Sequence, residues 1–297
     1  MKNVIASLEK EKIEYKRDYS LKAASSFRIG GECAIAIFPE SEGELASALS
    51  VLDSAGIRNE IVGKGSNILF GDGKLDIALI LTGKMSSLEI SGTSVRAACG
   101  ASLAALSHTC AERGLSGLEF ACGIPGSVGG AVYMNAGAYG SSISDVLVSS
   151  RAYDRESGEI IEISDHRFDY RHSVYMERES LVCLSASLAL REGDAEAIKA
   201  KNSELLEERR KKQPLNYPSA GSYFKRPEGY FAAKLIDDLG LKGAHVGDAA
   251  VSEKHAGFVV NLGNATFDDV MRLEELVKNA VFKEYGVELC REVRVIK

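Results

Sequence analysis

Clustered glycine is the feature that most constrains this chain. Six of the eighteen residues from Gly123 to Gly140 are glycine, and Asn135 and Tyr139 lie among them. Glycine reaches positive φ angles and lets the backbone approach a ligand closely. Successive backbone N–H groups can then surround an anion. A single glycine pair would favour a tight turn in a packed core, whereas six glycines favour a loop that holds a ligand.

A second glycine-rich segment follows directly after a predicted strand. Residues 63–67 read Gly-Lys-Gly-Ser-Asn. The segment is not a P-loop, because none of the three Gly-Lys pairs is followed by Ser or Thr. It is not the dinucleotide-binding Gly-x-Gly-x-x-Gly pattern either, because Ile68 stands at the last position. Alone it would indicate a turn, but two such loops in one chain favour a ligand that carries a diphosphate.

Composition narrows the class of protein. The chain has 297 residues and a net charge of −6, with 45% hydrophobic and 26% charged residues. These values are typical of a soluble globular protein of about two domains, and the acidic balance argues against a nucleic-acid partner. No uncharged apolar run reaches the roughly 18 residues of a membrane span, and charges interrupt the apolar residues at the N-terminus. We therefore expect a cytoplasmic protein without membrane contact and, by default, a monomer.

The cysteines and histidines do not indicate a metal site. The six cysteines have no Cys-x-x-Cys spacing, and the five histidines form no His-Glu-x-x-His pattern. We predict no bound metal and reduced cysteines that pack as small hydrophobic residues.

Hydrophobic spacing, capping residues and turn residues predict an α+β chain. The predicted helices cover residues 41–56, 102–113, 231–239 and 266–285, with another from about residue 194. The predicted strands cover 58–62, 77–81, a hairpin at 88–98, two strands within 144–163, and then 181–190, 257–261 and 287–296. Pro214 and Pro218 bracket a loop near which we place a domain boundary.

Three further segments carry polar side chains that catalysis could use. Arg171 lies in Asp-Tyr-Arg-His-Ser, Ser222 lies in Ser-Ala-Gly-Ser-Tyr-Phe-Lys-Arg-Pro, and Glu292 lies in the predicted last strand. On spacing alone, each is better explained as a surface or turn residue. No Gly-x-Ser-x-Gly pattern is present, so a serine hydrolase is unsupported.

Taken together, the motifs resemble the UDP-N-acetylenolpyruvoylglucosamine reductase (MurB) family of flavoenzymes. They follow that family's order from Ser-Ser-Phe-Arg-Ile-Gly-Gly at 25–31 to Glu292-Val293, and so cover nearly the whole chain. The two glycine loops alone would indicate only the wider superfamily of vanillyl-alcohol and aldonolactone oxidases. Tyr-Arg-x-Ser at 170–173, Ala-Gly-Ser-Tyr-Phe-Lys at 220–225 and the final Glu-Val narrow the resemblance to this reductase.

The resemblance implies a fold and a division into domains. Residues 1–195 would form an FAD-binding region of the vanillyl-alcohol-oxidase/PCMH-like type, with two α+β subdomains that divide near residue 80. Residues 196–297 would form a C-terminal α+β substrate-binding domain, whose last strand returns toward the flavin.

The resemblance also implies a reaction in peptidoglycan precursor synthesis. Non-covalent FAD, reduced by NADPH, would pass hydride from its N5 to the enolpyruvyl group of UDP-N-acetylglucosamine-enolpyruvate, which becomes UDP-N-acetylmuramate. Ser222 would return a proton to the α-carbon, while Arg171 and Glu292 would stabilise the enolate.

Ligand contacts follow from the same resemblance. The matched FAD-binding positions are Arg28, Gly63, Gly65, Ser66, Asn67, Leu69, Gly123, Ile124, Pro125, Gly126, Ser127, Gly129, Gly130, Asn135, Gly137, Ala138 and Tyr139. The expected substrate-binding residues are Tyr170, Lys225, Arg226, Lys234, Lys254 and His255.

Three departures from the family pattern stand out. The chain lacks the inserted loop whose tyrosine covers the substrate in one branch, so it resembles the shorter, loop-lacking branch. Arg226 replaces an Asn of the loop-bearing branch, and Cys290-Arg291 replace a common Glu-Pro. We expect the replacement at residues 290–291 to leave the direction of the Glu292 side chain unaltered.

Two other functions remain open on the sequence. A flavin oxidase or dehydrogenase acting on a sugar or lactone would use the same glycine loops, although no histidine lies in an evident covalent-flavin motif. A non-catalytic module that binds flavin or nucleotide would bind ligand without turnover.

Overall fold

Helices and runs of consecutive strands are mixed along the chain, which confirms the predicted α+β class. The computed structural model describes residues 1–297. Its helices are α1 (Lys2–Glu11), α2 (Glu42–Ser54), α3 (Leu103–Glu112), α4 (Val128–Met134), α5 (Val174–Glu177), α6 (Ala195–Lys212), α7 (Ala232–Asp238) and α8 (Phe267–Tyr285).

The strands are mostly short. They are β1 (Glu14–Ser20), β2 (Glu32–Phe38), β3 (Asn59–Val62), β4 (Ile68–Phe70), β5 (Lys74–Leu81), β6 (Leu88–Ser91), β7 (Ser94–Ala98), β8 (Leu115–Ser116), β9 (Gly137–Ala138), β10 (Ser141–Ser142), β11 (Leu147–Asp154), β12 (Glu159–Ile163), β13 (Leu181–Ala189), β14 (Arg191–Glu192), β15 (Ser219–Ser222), β16 (His245–Val246), β17 (Ala249–Val251), β18 (Phe258–Asn261) and β19 (Arg294–Ile296).

The chain forms two compact units, each made of separated segments. Unit 1 comprises residues 1–17, 35–64 and 77–208, and unit 2 comprises residues 18–34, 65–76 and 209–297. These two units are defined by how compactly the segments pack, whereas the predicted domains are defined by the ligands that they would bind. The functional boundary between residues 195 and 196 therefore stays a prediction.

Unit 1 is built around two sheets. One has the strand order β1-β2-β5-β3, with β3 parallel to β5, and the other is an antiparallel sheet of order β12-β11-β13-β7-β6. Helix α2 begins as predicted, because the Ser41 hydroxyl accepts a hydrogen bond from the Glu44 N–H at 3.2 Å. Its predicted inward residues, Leu45, Leu49 and Leu52, are all buried in a core that includes Ile80 of β5.

Unit 2 contains an antiparallel sheet of order β15-β18-β17-β16 and a parallel pair, β4 with β19. Helix α8 opens with the predicted capping box, in which Thr266 and Asp269 satisfy each other's backbone N–H groups. Its apolar residues at helical spacing, Val270, Leu273, Val277 and Val281, are buried. They share one core with residues of β17 and β18.

One predicted strand is wrong and one predicted loop is partly helical. Residues 287–296 were expected to form a single strand, but only Arg294–Ile296 does. The reason is a change of partner, because Glu292 bonds to Tyr223 whereas Arg294 bonds to Asn67 and continues beside β4. The glycine-rich segment contains α4, whose first turn Ser127 caps by accepting from the Gly130 N–H at 3.3 Å.

No helix combines the length and the apolar character that a membrane crossing requires.

Candidate active site

Within unit 1, Gly63 of the first glycine-rich segment lies against the second segment. A Cβ atom at Gly63 would lie 1.9 Å from the Ser127 hydroxyl oxygen, so no side chain fits there. Gly63 opens the first segment, and Ser127 lies in the second, at the beginning of α4. The glycine is therefore needed for close packing of two loops that we predicted separately.

The first segment offers backbone donors that the protein does not use itself. The N–H groups of Lys64, Gly65 and Ser66 donate no hydrogen bond within the chain. Gly65 has φ of +60°, a left-handed conformation that turns successive N–H groups toward one side. Unused donors of this kind fit the diphosphate of FAD, so the residues present suit the cofactor.

Strained backbone coincides with predicted site residues. Arg28, Asn135, Tyr139 and Arg171 have φ angles of 55°, 42°, 55° and 53°, and only three other non-glycine residues have positive φ. Each such conformation costs about 1–2 kcal/mol and persists only where the surrounding structure imposes it, and such residues concentrate at functional sites. This observation is independent of the family resemblance and favours the same positions.

Arg171 is held by the glycine-rich segment of unit 1. Its Nη2 donates to the Gly137 carbonyl at 3.2 Å, and its Nη1 lies 3.5 Å from the Asn135 carbonyl. The Asn135 amide is occupied in turn, since it donates to the Asp169 carbonyl and accepts from the Ser144 N–H, both at 3.1 Å. Asn135 thus fixes Arg171 through the backbone, while its amide holds the surrounding loops.

Two tyrosines of unit 1 stand at the surface beside these residues. Tyr170 is 47% exposed, with the guanidinium of Arg171 at 5.2 Å from its ring centre. Tyr139 is 46% exposed, and its hydroxyl donates to the Leu205 carbonyl of α6 at 2.9 Å. Both rings therefore present a face to solvent, as ligand-contacting residues require.

In unit 2, the segment that contains Ser222 is paired with the segment that contains Glu292. The Glu292 N–H donates to the Tyr223 carbonyl, and the Lys225 N–H donates to the Cys290 carbonyl, both at 2.8 Å. The Asn67 amide also donates to the Glu292 carbonyl, at 3.2 Å. Unit 2 thus brings together the segments of Ser222, Lys225, Asn67 and Glu292, and Arg171 belongs to unit 1.

The remaining predicted substrate cations are already engaged. Arg226 lies 4.6 Å from the ring centre of Phe231, Lys234 pairs with Asp238 at 2.9 Å, and Lys254 donates to a backbone carbonyl. His255 accepts from the Gly257 N–H through Nδ1, and burial lowers its pKa below 6.5. A neutral imidazole is poorly suited to a diphosphate, so Arg226 and the two lysines remain the better candidates.

One buried polar residue of unit 2, Glu274, lies in none of the motifs described above. Glu274 is buried in α8 beside Leu273, and it accepts hydrogen bonds from Tyr223 and Arg291. Its signal in the sequence is a carboxylate next to the apolar positions of an amphipathic helix, which indicates a buried partner.

Comparison with known proteins decides the family. The model of the UDP-N-acetylenolpyruvoylglucosamine reductase C-terminal domain matches residues 213–296, and an FAD binding domain model matches residues 33–164. The reductase of Clostridium novyi is 44% identical over 297 residues, which cover 99% of this chain and 95% of that protein. This chain belongs to the UDP-N-acetylenolpyruvoylglucosamine reductase family. The predicted family and flavin cofactor are thereby confirmed.

Other relatives agree with this assignment. The UDP-N-acetylenolpyruvoylglucosamine reductase of Caldicellulosiruptor saccharolyticus is 46% identical, over 97% of this chain and 94% of that protein. The crystal structure of the reductase (MurB) from Thermus caldophilus superimposes with a TM-score of 0.80 at 31% identity, covering 96% of this chain and 99% of that one. The glucooligosaccharide oxidase of Acremonium strictum, at 12% identity and a TM-score of 0.51, shares the fold alone.

Proposed function

We propose that this chain reduces the enolpyruvyl group of UDP-N-acetylglucosamine-enolpyruvate to give UDP-N-acetylmuramate, with NADPH as the hydride donor. It is an FAD-dependent oxidoreductase of peptidoglycan precursor synthesis. The observation that carries this proposal is the match to reductases of one specificity along nearly the whole chain. NADPH loses a hydride, and the substrate gains that hydride at its vinyl carbon and a proton at its α-carbon.

FAD, when bound, would supply the hydride carrier between NADPH and the vinyl carbon of the substrate. The residues proposed to hold it are those of the two glycine-rich segments together with Arg28. The unused N–H groups of residues 64–66 would donate hydrogen bonds to the diphosphate oxygens. The Gly63–Ser127 packing keeps the second segment in place.

Arg171 is proposed to stabilise the charge that develops on the carboxyl side of the substrate. Its guanidinium is oriented by the Gly137 carbonyl, a group of the protein itself. A cation that is already oriented stabilises a transition state without reorganising during the reaction. The fixed charge and planar geometry of arginine suit the two oxygens of an enolate-carboxylate.

Ser222 is proposed to donate the proton to the α-carbon. Its side chain lies at the exposed end of β15, where a substrate can reach it. A hydroxyl is a weak acid, so the transfer depends on orientation and on a charged group that supports it. Glu292, whose backbone is bonded to the neighbouring Tyr223, is proposed to polarise the substrate carboxylate or to assist this protonation.

The decisive experiment separates the two half-reactions in the purified holoenzyme under anaerobic conditions. NADPH should bleach the flavin absorbance, and the enolpyruvyl sugar nucleotide should restore it. Recovery only on admission of oxygen would point to a flavin oxidase and contradict the proposed substrate. A protein that takes up no FAD would contradict the assignment of both glycine-rich segments. The monomeric state stays a prediction, which light scattering on the same sample tests.

A further inference from the structure

Three polar side chains meet in the buried part of unit 2, and the proposed function uses none of them. Oxygen Oε2 of Glu274 accepts a hydrogen bond from the Tyr223 hydroxyl at 2.7 Å and another from Nη1 of Arg291 at 2.9 Å. The Glu274 side chain is 8% exposed, and Tyr223 is 1% exposed. A carboxylate at this depth is costly unless charged and hydrogen-bonding partners compensate it, and these two residues do so.

Both partners of Glu274 are chain neighbours of the proposed catalytic residues. Tyr223 directly follows Ser222, and Arg291 directly precedes Glu292. The two segments are themselves paired, because Phe224 and Arg291 form an antiparallel bridge flanked by two backbone hydrogen bonds. Glu274 therefore connects both segments to a third element, α8, through one carboxylate oxygen.

The arrangement keeps its donors over the working pH range. Burial, with the adjacent Glu274 carboxylate, raises the pKa of Tyr223 well above its usual value of 10, so the phenol remains a donor. Arginine stays charged at any pH that a folded protein tolerates. Lys278 also lies 4.0 Å from the other oxygen of Glu274. Both hydrogen-bond donors to Glu274 are thus retained.

We propose that Glu274 is a positioning residue for the protonation step, acting on Ser222 through Tyr223 and on Glu292 through Arg291. This inference rests on the proposed function, because it requires Ser222 and Glu292 to act on the substrate. A weakly acidic hydroxyl transfers a proton efficiently only when it is positioned close to the accepting carbon and points toward it. Small displacements of such a group therefore lower the rate of proton transfer strongly.

The test compares the two half-reactions by rapid-mixing absorbance in four holoenzyme variants. Glu274→Ala removes both hydrogen bonds, Glu274→Gln keeps an acceptor oxygen, and Tyr223→Phe removes only one donor. Glu275→Gln, at an exposed neighbouring position of α8, is the matched control. We expect Glu274→Ala to slow reoxidation by the enolpyruvyl sugar nucleotide by about tenfold, with flavin reduction by NADPH unchanged. Tyr223→Phe should show a smaller loss, and Glu274→Gln should recover most of the rate.

A merely structural role would give a different result. In that case Glu274→Ala would slow both half-reactions in proportion, or would lower thermal stability and leave both rates unaltered, and the inference would be overturned. Hydrogen exchange provides a readout that needs no turnover, because the Glu292 N–H that bonds to Tyr223 should exchange faster in Glu274→Ala. If Glu274→Ala does not fold, Tyr223→Phe decides by the same comparison, and an unchanged reoxidation rate there would overturn the inference.

The variant Ser222→Ala separates this inference from the proposed function. Slow reoxidation in Ser222→Ala with normal rates in the Glu274 and Tyr223 variants would reject the positioning role alone. Normal reoxidation in Ser222→Ala would instead reject Ser222 as the proton donor and, with it, the basis of the positioning role.

Discussion

The Nη2 atom of Arg171 donates a hydrogen bond to the carbonyl oxygen of Gly137 at 3.2 Å. This bond joins two motifs that lie far apart in the sequence, the Tyr-Arg-x-Ser segment and the glycine-rich segment. Arg171 lies in a tight turn whose ends, Asp169 and His172, exchange backbone hydrogen bonds at 3.3 and 3.2 Å, and this turn accounts for its φ of 53°. The turn and the guanidinium contact together hold the side chain against the glycine-rich segment.

The first prediction concerns Arg171. We expect Arg171→Ala to lower kcat for the enolpyruvyl sugar nucleotide by about 10²–10³-fold, because a fixed cation is lost at the developing charge. Arg167→Ala is the matched control, since Arg167 also has positive φ, of 47°, but pairs with Glu177 at the surface. Steady-state kinetics checks both variants. Equal losses in the two would show that backbone strain, and not the Arg171 charge, is responsible.

Ser222 is tested by removing its hydroxyl. Ser222→Ala should slow the substrate-dependent reoxidation of the flavin by about 10²–10⁴-fold, because a general acid is lost. Reduction by NADPH should be preserved. Ser219→Ala, in the same strand, is the control and should behave as the unmodified protein. Undiminished reoxidation in Ser222→Ala would remove this serine from the mechanism.

The contact between Gly63 and Ser127 predicts a defect in cofactor retention. A methyl group at 63 would overlap both the Oγ and the Cβ of Ser127, at 1.9 Å and 2.8 Å, so Gly63→Ala must displace the loop. We expect a loss of about 1–3 kcal/mol in stability and a lower FAD content after purification. Gly83→Ala is the control, because nothing lies within 4 Å of its added Cβ. Flavin absorbance per protein measures the effect, and full occupancy in Gly63→Ala would contradict the packing.

Two histidines predict how stability depends on pH. Burial lowers the pKa of His166, which lies 2.8 Å from the Ser150 hydroxyl, and burial also lowers the pKa of His255. Below pH 6.5 the unfolded chain binds protons that the native state does not, so the free energy of unfolding falls as the pH decreases. The double variant His166→Gln/His255→Gln should flatten this dependence in urea titrations, whereas His108→Gln at the surface should not. An unaltered slope in the double variant would reject the assignment.

The cysteines give a prediction about thiol reactivity. None of the six forms a disulfide, and Cys290 alone is exposed. Burial raises the pKa of Cys99 to about 12 and that of Cys110 to about 11, so these thiols remain protonated and shielded. We expect one rapidly reacting thiol per native chain with a chromogenic disulfide reagent, and none in Cys290→Ser. Several rapid equivalents in the native protein would show that the buried cysteines are accessible.

Local patterns in the sequence predicted the elements well where local interactions decide them. The capping residues Ser41 and Thr266 begin helices where expected, and the apolar spacing of α2 and α8 identifies their buried sides. The glycine-rich segments were predicted to be loops that hold a ligand, because few residue types other than glycine allow positive φ and a close approach of the backbone. Gly63 shows both the reach and the limit of such a pattern. The sequence singles out this glycine as part of a loop, but only the structure identifies Ser127 as the residue that it packs against.

Pairing between segments that lie far apart in the sequence could be predicted less well. The segment 287–296 has the composition of a strand, yet its partner changes from Tyr223 at Glu292 to Asn67 at Arg294, and no local pattern encodes such a change. Glu274 likewise looks like one more surface carboxylate until its two partners are located. The roles of Arg171, Ser222 and Glu292 came from motif order in a known family, because spacing alone favoured surface residues.

The hydrogen bond from the Asn67 amide to the Glu292 carbonyl joins residues that are 225 positions apart. During translation, Asn67 and the adjoining β4 are synthesised early. The strand β4 cannot pair with β19 until almost the whole of the described chain has been synthesised. Through that interval β4 has no sheet partner in unit 2, and its apolar residues depend on other contacts for protection. Biosynthesis therefore imposes an order in which unit 2 is completed last, after translation has passed residue 296.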